Sequence, residues 1–534
     1  MMRTAIGFLL LSAAFPLSAQ TLTNAVRHDT SPPISSILVE VPDEPFEARR
    51  TEHRVRPIPF PTAAPGARRA ATEAPAAPIQ APLDLAPMRA PFLGIGPEIG
   101  YKVKHAPPDT TGAPGTTQYV QWVNEAFAVF DKATGKPVVD SATGRPVLKP
   151  GGVRDGRVIW SGFGGVCEDT NDGDPIVLFD RMRNRWVLSQ FAVHGGGRTF
   201  SQCVAISLTD DATGRYHRYE FQYNDFNDYP KFGVWPDAYY VTYNMFRGRA
   251  FLGAKACALE RAAMLNGDPA RMICFDLNGF GGVLPSDADS TPPAAMPNHL
   301  VNFGVDTLNV WKFHVDWSTP ASSTLTKLGP IDVTRFDPPC PLGADGLPSA
   351  CIPQGPSTQP DQKLDALGDR LMYRLAYRRV EGRDALVVNH TVKTGTGTGM
   401  RVYDLTINNA GVSVARQQTY APDGRFRWMG SVAMDKRGDL LIGYTASGVD
   451  LFPSIRFAGN AAGETAIHDE HTMVAGAAAQ VSATDPLERW GDYSTLTIDP
   501  TDDCTFWYTA QVETAEGTFN WSTRIGSVKF ASCR

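Results

Sequence analysis

The chain repeats itself at intervals of about 60 residues, and a fixed period filled with strand-type segments marks the blades of a β-propeller. Seven stretches share one pattern: a polar lead-in marked by Gly, Asp or Pro, then short runs of β-branched and aromatic residues. The clearest lead-ins are Asp172-Gly173-Asp174-Pro175 before 176–179, Asp228-Tyr229-Pro230 before 231–234, and Leu367-Gly368-Asp369-Arg370 before 371–377. Two more are Arg427-Trp428-Met429-Gly430 before 431–434 and Arg489-Trp490-Gly491-Asp492 before 493–498. Second runs follow at 185–191, 238–244, 385–392, 440–445 and 504–512, and third runs at 203–208, 400–407 and 522–530. Rich in Val, Ile, Tyr, Phe and Trp and bounded by turn residues, they read as antiparallel strands. Units at 118–131 and 300–317 fit the spacing with a weaker pattern. The expected fold is all-β, a β-propeller of seven blades with six as the alternative.

Composition agrees with one large folded domain behind a different N-terminal stretch. The 534 residues are 43% hydrophobic and 10% aromatic, enough to bury large cores, and a net charge of −6 argues against a nucleic-acid partner. Residues 1–19 read as a signal peptide: Arg3, an apolar run from Ile6 to Phe15, and a small residue at Ala19. That run is too short to span a bilayer and no other segment approaches a span, so the protein is expected in the periplasm or outside the cell, as a monomer. Residues 20–91 are dominated by Pro, Ala and Arg and read as a disordered linker or pro-segment, leaving 92–534 as the propeller. Because 522–530 ends the last repeat without a fourth strand, residues within 92–131 are expected to supply it and close the ring. Eight Cys suit an oxidising compartment. Pairing nearest neighbours gives Cys167–Cys203, Cys257–Cys274, Cys340–Cys351 and Cys504–Cys533, one of 105 connectivities.

Arg489-Trp490-Gly491-Asp492-Tyr493-Ser494, with Asp503-Cys504-Thr505-Phe506-Trp507-Tyr508-Thr509, resembles the ending of an uncharacterised family of exported bacterial β-propeller proteins. Asn171 to Asp180 with Arg185-Trp186, and Leu367 to Tyr373, carry the same resemblance, which covers residues 118–534. It implies a propeller that is sialidase-like in architecture only, since the Asp box S-x-D-x-G-x-T-W does not occur in this chain.

In a propeller the lead-ins and the turns between second and third strands lie on one face around the central channel. Asp172, Asp174, Asp228, Lys231, Asp369, Arg370, Arg427, Arg489, Asp492 and Tyr493 belong to lead-ins, and Gln190, His194, Asn244, Asn389 and His390 to second-strand ends. Two readings stand: Asp–Arg bridges that tie blades together, or a pocket for a polar or anionic ligand. Arg370, Arg427 and Arg489 occupy equivalent positions of three repeats, and guanidinium forks suit a carboxylate, as in the three-arginine clamp of sialidases. The ligand-binding set is Arg370, Arg427, Arg489, Asp174, Asp228, Lys231, Asp492, Tyr493 and His390. A hydrolase would also need a nucleophile and an acid, for which Tyr493 with Asp174 or Asp228 are the candidates.

Other signals are weaker. Asp169, Asn171, Asp172 and Asp174 offer hard oxygen ligands for Ca²⁺ but lack the Glu that closes an EF-hand loop. His194-Gly195-Gly196-Gly197 has no G-x-S-x-G partner, His468-Asp469-Glu470-His471 is not a zinc helix, and residues 394–399 read as a hairpin tip. The expected role is non-catalytic recognition of a polar or anionic glycan or cell-surface partner at the channel rim, with no required cofactor; the alternative is a glycoside hydrolase or lyase using the same funnel.

Overall fold

In a computed structural model of the chain, the residues described are 20–37, 50–51, 58–61, 78–138, 153–194, 199–343, 346–347, 349–484 and 486–534. The signal-peptide expectation for 1–19 lies outside them.

The strands fall into successive antiparallel groups, each built outward from an inner strand. Thr111–Pro114, Gln118–Val123, Ala126–Asp131 and Val153–Asp155 form the first. Ile176–Asp180, Arg185–His194, Thr199–Ser207 and Tyr216–Tyr223 form the second. Phe226–Val234, Tyr239–Arg247, Ala250–Leu259 and Arg271–Leu277 form the third. Next come Leu284–Ala288, Asn298–Phe303, Thr307–His314 and Thr324–Asp332, then Met372–Val380, Arg383–Thr394, Gly397–Asn408 and Gly411–Tyr420. After these follow Phe426–Met434, Leu440–Gly448, Leu451–Asn460 and His471–Val474, and last Thr495–Ile498, Thr505–Glu513 and Trp521–Lys529. Each inner strand contacts the inner strand of the next group, and the last contacts the first, so the arrangement is propeller-like and closed.

The alternation along an inner strand shows why its apolar run is continuous. Ile176 and Leu178 join the core shared with the third group, while Val177 between them joins the core shared with the first. A sheet covered on both faces needs apolar residues at both phases of the pleat, which removes the polar/apolar alternation of a half-exposed strand. Two inner strands approach closely at Gly233, where any Cβ would collide with the Ser286 carbonyl oxygen.

Closure uses N-terminal residues, as expected: Phe92–Leu93 pairs antiparallel with Ile525 and Arg524 as the outer strand of the last group. The reading of 20–91 as a structureless linker is corrected at its start. Thr21–Asn24 pairs with 271–274 as a fifth strand of the third group, and Arg27–Thr30 with 217–220 as a fifth strand of the second. The physical reason is edge protection: the outer strands of those groups offer unpaired backbone N–H and C=O groups, and pairing with them demands little of side-chain composition. Leu83 is buried, and Leu85 bridges to Phe530. All four expected disulfides are present, Cys167–Cys203, Cys257–Cys274, Cys340–Cys351 and Cys504–Cys533. Among the described residues no helix is long and apolar enough to cross a membrane.

Candidate functional site

Backbone strain recurs where the chain turns into an inner strand. Asp109, Asp174, Tyr229, Met429 and Asp492 all have positive φ, between 46° and 56°, just before an inner ladder begins or resumes. A left-handed conformation at a non-glycine residue costs on the order of 1 kcal/mol and persists only where surrounding contacts hold it. Here it turns the lead-ins of separate groups toward one another.

Lys231 lies at their meeting point. Its Nζ is 3.5 Å from the ring centroid of Tyr229 and 3.9 Å from that of Tyr493, and donates to the Pro230 carbonyl at 3.1 Å. Burial lowers the Lys231 pKa to about 8, opposed by the charges of Asp174, Asp109 and Asp492 and reinforced by Arg370. Tyr229 and Tyr493 meet edge to face, 6.0 Å between centroids, and burial pushes both phenols upward. The Tyr493 hydroxyl donates to the Pro175 carbonyl at 3.1 Å, tying the last group to the second. Arg370 lies 4.5 Å from the Tyr229 ring centroid and forms a fork with both oxygens of Asp369, at 2.6 and 2.9 Å. Arg489 pairs with Asp492, Nε to Oδ1 at 3.0 Å.

The structure therefore brings together Asp174, Lys231, Arg370, Arg489, Asp492 and Tyr493, and leaves Arg427 and His390 apart. Arg427 is in the ladder opposite Ala446, where it binds Asp423 at 2.7 Å and Glu470 at 2.9 Å within its own group, so the three arginines do not share one focus. His390 is a core residue, stacked on Tyr403 with Nε2 3.0 Å from its hydroxyl and packed against Phe303 and Phe336; burial lowers its pKa well below the usual imidazole value. Asp228 is half-buried and sits across the ladder from Asn244. The residues expected to hold Ca²⁺ are engaged as follows. Asp172 accepts the Val193 N–H at 2.7 Å, the Asn171 amide donates to Asp155 and the Glu125 carbonyl, and Asp169 ends the short helix Val166–Asp169. Among the described residues, three metal-ligating side chains converge only at Asp435 with Cys504 and Cys533, whose sulfurs are joined to each other. The His194-Gly195-Gly196-Gly197 motif falls mostly outside the described residues, while Thr394 pairs with Gly397 as the expected hairpin tip.

Sequence reasoning missed Asp109, although Asp109-Thr110-Thr111 repeats the Asp-then-strand pattern of Asp174-Pro175-Ile176. It also missed a second buried ion cluster. Arg374 binds Asp287 at 2.6 Å, Asp289 at 2.7 Å and the Leu496 carbonyl at 3.0 Å, between the fourth, fifth and last groups. Asp287 lies in the inner strand Leu284–Ala288 and Asp289 just past its end; the Asp-x-Asp spacing after an apolar run was the available signal. Only a small cavity of about 30 Å³ remains beside them.

Larger spaces lie elsewhere. A cavity of about 440 Å³ opens where the third, fourth and fifth groups meet, with Asp369 and Arg370 in its wall. Another of about 460 Å³ lies at the closure seam beside Lys132, Asp499 and Trp507.

No family model matches this chain, and no curated protein does. Among solved structures it is similar to the N-terminal domain of Nup159, at 8% identity and a TM-score of 0.36 over 86% of this chain and all of that one. The β-propeller domain of Cps50 (Swd1) from Myceliophteria thermophila matches at 8% identity and 0.35, over 84% of this chain and 99% of that one. A polysaccharide lyase described as an ulvan lyase matches at 11% identity and 0.33, over 84% and 96%.

Proposed function

We propose that this chain is an exported, seven-bladed β-propeller that recognises a polar glycan, free or on a cell surface, without reacting with it. The observation that carries this reading is the 440 Å³ cavity: Arg370 and Asp369 extend the buried cluster to its wall, beside Asn302 and Asn309. Pockets of this size with a few convergent polar groups are the usual form of a small-ligand site. In this reading Lys231, Asp174, Asp492, Tyr493 and Arg489 hold Arg370 in place and do not touch the ligand.

The count of seven is supported by the cyclic succession of inner strands, and export by the four disulfides. The non-catalytic assignment is supported by burial. Lys231, Tyr493 and Asp492 are each 1% exposed, whereas a general acid, base or nucleophile has to reach its substrate. A glycan array probed with the oxidised protein, run beside a panel of chromogenic glycosides, tests the reading. Binding without turnover is expected. Turnover of any glycoside replaces it with a hydrolase, and an array with no bound glycan overturns it.

A further inference from the structure

One wall of the 440 Å³ cavity does not come from the strand groups. Residues Ile58 to Pro61 of the N-terminal region lie along it. Their seat is shaped for them: Ile58 is buried, and its Cγ2 occupies the place where a Cβ on Gly281 would be. Phe60 tilts against Phe303 with 5.7 Å between centroids, and Phe303 is itself held by Phe336 and His390. Phe60 is only half-buried, so part of its ring is left for something else.

The polar lining is internally matched in charge. Both Asp369 oxygens take N–H bonds from Arg370, whose guanidinium rests on the Tyr229 ring. Asn302 donates to the Gly281 carbonyl at 3.0 Å, and Asn309 donates to Asn302 at 3.1 Å. An anion binding here would meet the Asp369 carboxylate beside a guanidinium whose charge is already matched, and would gain full attraction only by exchanging with Asp369, which leaves that carboxylate uncompensated. A hydroxyl needs no such exchange, because it can donate to a carboxylate or amide oxygen that already accepts one bond and accept from an amide. A ring with an apolar face and hydroxyls at its edge matches an aromatic wall flanked by amides and a neutralised ion pair.

We propose that this cavity is a subsite for a neutral saccharide ring, with Phe60 as a ligand-contacting residue and Asn302, Asn309 and Asp369 as its hydroxyl partners. The inference rests on the glycan reading above and narrows it, and it converts the Ile58–Pro61 segment from a tether into part of the site.

Calorimetric titration of the oxidised full chain with neutral tetrasaccharides (cello-, manno- and galacto-series), tetragalacturonate and sialyllactose tests it. At least one neutral probe is expected to bind at least tenfold more tightly than the acidic ones. Phe60→Ala and Asn309→Ala should each weaken that binding about tenfold, and Phe60→Tyr, which keeps the flat ring, should retain it. If Phe60→Ala does not fold, Phe60→Leu supplies the same comparison, since it keeps an apolar side chain and loses the ring face. Acidic probes binding in preference to neutral ones overturn the neutral assignment and leave the glycan reading standing. Neutral binding indifferent to Phe60 and Asn309 places the ligand elsewhere and overturns the subsite alone. Failure of every probe, joined to an empty array, removes both.

Discussion

Replacing Lys231 by Met removes a buried charge while keeping most of the apolar stem. Lys231 is 1% exposed, so Asp109, Asp174 and Asp492 act on it through a medium far less polar than water. Deleting one partner of a buried ionic set costs about 3–5 kcal/mol, because the remaining charges stay behind uncompensated. Part of that is offset, since the lysine itself is buried at a cost, as its pKa of about 8 against 10.5 in the open chain shows. That offset is about 3 kcal/mol, so a deficit of about 1 kcal/mol is expected at pH 7, and at about 2 °C per kcal/mol for a large domain the melting temperature should fall by about 2 °C.

The pH dependence separates lost charge from lost volume. In Lys231→Met the neighbouring carboxylates lose a cation that favours their ionised form, a loss felt only when they are charged. The variant should then stand closest to the parent near pH 4 and fall behind as pH rises toward 7. In the parent, Lys231 has a folded pKa of about 8, below 10.5. Between those values the unfolded chain binds the proton more tightly, so this group makes stability rise as pH increases from about 8 toward 10. That rise should be missing in the variant. Urea unfolding followed by tryptophan fluorescence at pH 4, 5.5, 7, 8 and 9.5 reads both effects. A deficit that is the same at every pH, or no deficit at all, refutes the reasoning.

Arg374→Ala should cost at least about 3 kcal/mol by stranding Asp287 and Asp289, and Arg374→Lys should rescue it poorly, because one ammonium cannot reproduce the fork; equal stability of both variants with the parent in urea would contradict this. Breaking Cys504–Cys533 with a double Ala variant opens a span of 29 residues and should cost about 3 kcal/mol, measured against the parent under non-reducing conditions. Removing residues 20–30 strips the added strands from the second and third groups, so light scattering on heating should begin at a lower temperature than in the chain that keeps them. Gly233→Val should abolish accumulation of folded protein, because its side chain would meet the Ser286 backbone; a folded variant with parent-like circular dichroism counts against the close approach.

The repeats that read weakly in sequence are weak for identifiable reasons. The first group has the short, small-residue inner strand Thr111–Pro114, and its outer strand Val153–Asp155 spans three residues. The fourth group has Pro285, Ser286 and Asp287 inside Leu284–Ala288, which breaks the apolar run that identifies the others. In the site, Asp174, Lys231, Arg370, Asp492 and Tyr493 were legible because lead-ins of equivalent position converge on one axis. Arg427 has the same position in the pattern but lies within the strand Phe426–Met434, and the pleat directs it to Asp423 and Glu470. The edge strands at 21–24 and 27–30 had little signal to read, since backbone pairing sets their register and the side-chain fork of Arg218 on Asp29 joins residues 189 apart.

Local chemistry decides where strands begin and which of them are buried on both faces, so the composition of each run and its turn residues were enough to imply an all-β ring closed by its N-terminal side. The same locality explains the disulfides: each joins cysteines between 11 and 36 residues apart, a span one repeat can contain. The state of each charge was decided only by the tertiary structure. Asp109 and Lys231 interact across more than one hundred residues, and the Tyr493 hydroxyl reaches Pro175 across 318. Coulomb attraction and the cost of leaving water both depend on distance and burial in three dimensions, and neither quantity is carried by spacing along a chain. The cavity at Arg370 has the same origin, because its walls belong to three strand groups and to an N-terminal segment that its Pro-rich composition alone marked as a linker.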